Sequence, residues 1–89
     1  MSVIENVREY LVTELRIAQA DELDPDLPLV QRGVIDSIEL MQVVLFLENR
    51  YTITIDETEV LPSNLRSLST IQDFVAAKMS AAGVEGAVE

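Results

Sequence analysis

Only one stretch of this chain, Tyr51-Thr52-Ile53-Thr54-Ile55, alternates like a β-strand, and no second candidate exists for it to pair with. Since a lone strand gains no sheet, the segment reads as an extended connector whose isoleucines turn inward. The fold then has to come from helices. Val3, Ile4, Val7, Tyr10, Leu11 and Leu15 recur at helical spacing with Glu5, Arg8, Glu9 and Glu14 between them, and Ser2 stands where a cap belongs. Asp36 precedes a run from Ser37 to Glu48 that lacks Gly and Pro, long enough for about three turns. Pro62 suits the first position of a short helix within Leu61 to Leu68. Ser69-Thr70-Ile71-Gln72 has the form of a capping box, opening a last helix with Ile71, Phe74, Val75 and Met79 on one face.

Between the first two helices the periodicity breaks. Pro25 and Pro28 stand among Asp21, Glu22, Asp24 and Asp26, which predicts a long loop, and its Leu23, Leu27, Leu29 and Val30 predict that the loop packs on the core. Long ordered loops in small domains are usually functional. The expected architecture is an all-α, small four-helix bundle: three main helices, one short one, and a long loop between helices 1 and 2. Residues 1–80 form the domain, and residues 81–89, small and polar, form a flexible tail.

Composition removes several function classes. With 89 residues there is room for a single modest core but not for a core and a separate catalytic cleft. Sixteen acidic against six basic residues give a net charge of −10, which disfavours nucleic acid and anionic membranes and favours partners with basic patches. The chain has no Cys and no His. Disulfides, the common zinc sites, thiol nucleophiles and imidazole bases are therefore excluded together. No apolar run approaches a membrane span, and a soluble, cytoplasmic monomer is expected.

The segment that reads as a site is Gly33-Val34-Ile35-Asp36-Ser37-Ile38. Asp36 as N-cap, with Glu39 three residues on, leaves Ser37 as the first helical residue. A group on its hydroxyl would lie beside unpaired N–H groups and the positive end of the helix dipole, a place suited to phosphate. Without a histidine there is no base to make Ser37 a hydrolytic nucleophile. On a helical wheel the apolar residues of this helix divide into two arcs. Leu40, Val43, Val44 and Leu47 face the bundle core. Ile38, Met41 and Leu45, with Glu48 beside them, lie on the other side of Ser37, and read either as a docking stripe or as the second face of a helix buried all round. Phe46 falls in the polar strip of Glu39, Gln42, Asn49 and Arg50, where it is expected to be covered by another helix.

Here the chain resembles the acyl and peptidyl carrier proteins, whose hallmark is Asp-Ser-Leu, standing as Asp36-Ser37-Ile38 in this sequence. The similarity extends through Leu45-Phe46-Leu47-Glu48-Asn49-Arg50-Tyr51, Ile53-Thr54-Ile55 and Leu68-Ser69-Thr70-Ile71-Gln72-Asp73-Phe74, covering roughly Val3 to Lys78. The resemblance implies a non-catalytic carrier with 4′-phosphopantetheine, taken from coenzyme A by a magnesium-dependent phosphopantetheinyl transferase, esterified to Ser37. It implies that Ile38, Met41 and Leu45 contact the partner enzymes; Asp36 remains the helix cap, and Glu39 and Glu48 join the partner-docking face through their negative charge near the arm. The implied partners are an acyl- or aminoacyl-loading ligase or adenylation enzyme and downstream condensing, tailoring or transferase enzymes.

Two residues separate Gly33 from Asp36 where fatty-acid carriers commonly have one, and Gln42 stands where they tend to have an acid. The pattern looks more like freestanding carriers of nonribosomal peptide and polyketide pathways, or the D-alanyl carrier, than a fatty-acid carrier. A small acidic helical adaptor is the alternative outside the family. A calcium loop drawn from Asp21, Glu22, Asp24 and Asp26 lacks the glycine and closing glutamate of an EF-hand.

Overall fold

The computed structural model describes the backbone of residues 2–88 and the side chains of residues 2–80. Its elements are α1 (Val3–Thr13), a 3₁₀ turn at Ala18–Glu22, α2 (Ser37–Tyr51), a 3₁₀ turn at Glu57–Glu59, the single-turn α3 (Pro62–Leu65) and α4 (Leu68–Val88). No strand occurs among the described residues. The expected bundle of three main helices and one short helix is the observed one. The expectation of a tail at 81–89 falls on residues whose side chains, with all of Glu89, lie outside those described; the backbone there is helical as far as Val88.

The three long helices each start where a side chain can take up free N–H groups, whereas α3 has no side-chain cap and opens on Pro62. Ser2 accepts from Glu5 N–H while the Glu5 carboxylate accepts from Ser2 N–H, both at 3.1 Å. α4 departs from expectation. Its cap is Ser67, not Ser69: Ser67 Oγ accepts from Thr70 N–H at 3.3 Å and Thr70 Oγ1 accepts from Ser67 N–H at 2.9 Å. Ser69 N–H instead donates to Pro25 O at 2.9 Å.

The core is built from Val7 and Leu11 of α1, Val43 and Leu47 of α2, and Leu68, Ile71 and Val75 of α4, all fully buried, with Leu29 from the long loop. α1 packs against α2 and α4, and α2 against α4. Phe46 stacks on Tyr10 of α1, ring centroids 4.4 Å apart and planes at 21°, so helix 1 covers it as expected. Asn6, buried on α1, donates to the Tyr51 hydroxyl at 2.6 Å and ties the two helices at their ends.

The long loop is fastened from both sides. Leu29 N–H donates to Arg66 O at 2.8 Å, and Arg8 of α1 reaches the Leu23 carbonyl. Leu29 is fully buried, and Leu23 and Leu27 are half-buried, but Val30 faces out. The loop turns back there, with Arg32 N–H on Pro28 O and Gly33 N–H on Val30 O, so neighbouring Leu29 and Val30 cannot share one direction. Gly33 closes the turn at φ +73°, in the left-handed region that glycine enters without a Cβ penalty.

Met79 is also exposed, contrary to the face expected for α4. At about 100° per residue it has turned some 80° away from Ile71, while Val75 has turned only about 40° and stays inside. After α2 the chain reverses at Thr52, which is left-handed at φ 53°, and Ile53 and Ile55 turn inward as expected.

Candidate functional site

Asp36 is extended at φ −99°, ψ −177°, and its carboxylate accepts from Glu39 N–H at 2.7 Å. The Glu39 carboxylate returns the bond, accepting from Asp36 N–H at 3.0 Å. Leu40 N–H closes the first helical turn on Asp36 O at 2.9 Å. The N–H groups of Ser37 and Ile38 precede that turn and have no intrahelical acceptor. Ser37 itself is exposed. A hydroxyl is therefore presented to solvent at the positive end of a 15-residue helix, with two amide donors beside it.

The two arcs of α2 separate by burial. Val43, Val44 and Leu47 are buried and Leu40 is half-buried, whereas Ile38 is 73% exposed, Met41 46% and Leu45 56%. An all-round buried helix is thereby excluded. These three residues add no core contacts, and they form a continuous apolar strip beginning next to Ser37. Glu39 and Glu48 are both half-buried and engaged: Glu48 accepts Ile55 N–H at 2.8 Å through its carboxylate, and Thr52 N–H through its backbone oxygen. Glu48 thus holds the connector against α2 in addition to lying beside the strip.

One feature of the site was not read from the sequence. On the side of Ser37 opposite the strip lies a cleft of about 310 Å³, walled by Val30 of the loop, Leu40 of α2, and Leu61, Pro62, Leu65 and Arg66 at α3. Its walls contain no carboxylate, and Arg66 is their one charged residue. No periodicity could link Arg66 to Ser37, because the bond from Leu29 N–H to Arg66 O is what brings the loop and α3 together.

Residues 5–77 match the family model described as a phosphopantetheine attachment site. The chain belongs to that family. It is accordingly a carrier domain, not an enzyme: a substrate of a phosphopantetheinyl transferase that bears 4′-phosphopantetheine covalently. No curated protein gives a significant match. The exposed hydroxyl, the free amide donors and the acid-free cleft fit a phosphodiester-linked arm. Among the described residues, no helix is long and apolar enough to cross a membrane.

Proposed function

We propose that Ser37 is the attachment residue and that the carrier unit, residues 1–80, presents acyl or aminoacyl groups to partner enzymes through the α2 surface. The observation that carries the reading is the placement of an exposed serine at the first position of α2, between an apolar strip and an apolar cleft. When attached, the arm supplies a thiol that holds cargo as a thioester. The chain's own part is the hydroxyl: Ser37 Oγ bonds to the phosphorus of the pantetheine phosphate, the phosphoanhydride bond of coenzyme A breaks, and the adenine nucleotide leaves. With no histidine in the chain, the hydroxyl proton passes to a base of the transferase.

Asp36 fixes the start of α2 and thereby the direction of Ser37. Ile38, Met41 and Leu45 form the contact surface for the transferase, loading ligase and downstream enzymes, with Met41 the adaptable element. Glu39 and Glu48 contribute negative field at its margin. Gly33-Val34-Ile35-Asp36-Ser37 and Gln42 favour a discrete carrier of nonribosomal peptide, polyketide or aminoacyl metabolism over a fatty-acid carrier.

Intact mass after incubation with coenzyme A, magnesium and a broad-specificity transferase tests the assignment. The wild type gains one arm. Ser37→Ala, still capped by Asp36, keeps its helical spectrum and gains nothing; modification of that variant at another serine overturns the reading.

A further inference from the structure

Of the ten residues lining the cleft beside Ser37, Arg66 alone is charged, although the chain carries sixteen acids against six bases. Asp36 and Glu39 do place carboxylates on the first turn beside Ser37, both engaged in the capping box, but the cleft that Ser37 lines has none and offers a cation instead. Arg66 is exposed, and its guanidinium has no hydrogen-bond or ion-pair partner among the described residues, where the one salt bridge joins Lys78 to Glu59. Its backbone is held: Arg66 follows the single turn of α3, and its carbonyl receives Leu29 N–H at 2.8 Å. A free cation on a fixed stem, in the lining of the cleft that Ser37 also lines, has a defined chemical complement in a phosphodiester on that serine.

We propose that Arg66 is a positioning residue that pairs with the arm's phosphodiester and lays the arm along the cleft, against Val60, Leu61 and Pro62. The inference rests on Ser37 being the attachment residue. The phosphodiester carries one negative charge at the α2 N-terminus, where the N–H groups of Ser37 and Ile38 already favour it. Arg66 adds a second, opposed support, so the charge is held from both walls. The apolar wall then offers contact to the arm's branched methyl groups. Without Arg66 the phosphate keeps only the helix end, and the arm swings into solvent.

The test uses holo wild type, Arg66→Gln and Arg66→Lys, each first shown by intact mass to carry one arm. The arm is then located by peptide mass: an arm on another serine refutes the Ser37 reading, and with the arm on Ser37 the spectra bear on Arg66 alone, which separates the two. With loading established, amide proton–nitrogen spectra of apo and holo forms are compared, together with the phosphorus resonance and contacts from the arm's methyl groups. In the wild type, holo shifts appear at Leu61, Leu65 and Arg66 as well as at Ser37 to Leu40, with methyl contacts to Leu61. Arg66→Gln loses the α3 shifts and those contacts while its apo spectrum keeps the native dispersion; Arg66→Lys retains part of them. High salt reduces them in the wild type. Wild-type shifts confined to residues 36–40, or α3 contacts unchanged in Arg66→Gln, overturn the proposal.

Discussion

Single side chains on α2 divide sharply by role, and the division can be measured. Leu47 is fully buried between α1 and α4, so Leu47→Ala removes packed methyl groups and leaves a void, at a cost of about 2–5 kcal/mol. Met41 is 46% exposed and has no core to lose, so Met41→Ala should change stability by less than about 0.5 kcal/mol while slowing loading by partner enzymes. Urea denaturation of both variants, beside a loading assay, distinguishes them. Equal destabilisation by the two would make the exposed arc structural and remove the docking surface. Asp36 and Ser37 show the same separation within one dipeptide: the carboxylate is spent on Glu39 N–H, and the hydroxyl beside it remains free.

At the scale of elements, the start of α4 gives the clearest test of how the chain sets its boundaries. Ser67 Oγ accepts Thr70 N–H and is buried, so Ser67→Ala should cost about 0.5–2 kcal/mol, whereas Ser69→Ala should cost only a few tenths. Thermal unfolding of the pair decides it, and the reverse order would return the cap to Ser69. The sequence contains both serines in similar surroundings, and the choice between them is tertiary: Pro25 O lies within reach of Ser69 N–H, which a local pattern cannot reveal. The same limit explains the other departures. The second arc of α2 was legible because periodicity separates faces, and the cap at Asp36 because its bonds span three residues. Val30, the cleft at Arg66 and the bond from Ile55 N–H to Glu48 were not, because each depends on where the long loop or the connector crosses another element. The helices and the serine were readable; the wall that faces the serine was not.

Over the whole molecule, charge governs both stability and encounter. Lys78 and the N–H of Asp56 hold the Glu59 carboxyl below its ordinary value of 4.5, and the N–H and hydroxyl of Thr58 hold Asp56 below 3.8. Ser2 does the same for Glu5 at the start of α1. A carboxyl depressed by folding stabilises the native state above its unfolded value and loses that contribution as pH falls through the folded one. Glu59→Gln should therefore be less stable than wild type at neutral pH, with the difference closing below the ordinary carboxylate range; denaturation midpoints across pH test this, and a gap that persists in strong acid contradicts it. The same carboxylates give the chain its charge of −10, which should steer partners bearing basic patches. Such steering acts before contact, so loading on-rates should fall as salt shortens the screening length from about 30 Å at low ionic strength to about 8 Å at physiological salt. Charge reversal at Glu48 is a poor probe of it, because that carboxylate also anchors Ile55 N–H and the variant would disturb the connector. Met41→Ala is a better control: it removes contact without altering charge, so it should slow loading by a constant factor and leave the salt slope intact. Stopped-flow loading of both proteins across a salt series separates the terms. A wild-type rate independent of salt would remove long-range attraction from the mechanism, and a slope changed by Met41→Ala would mean that steering and docking are not separate events.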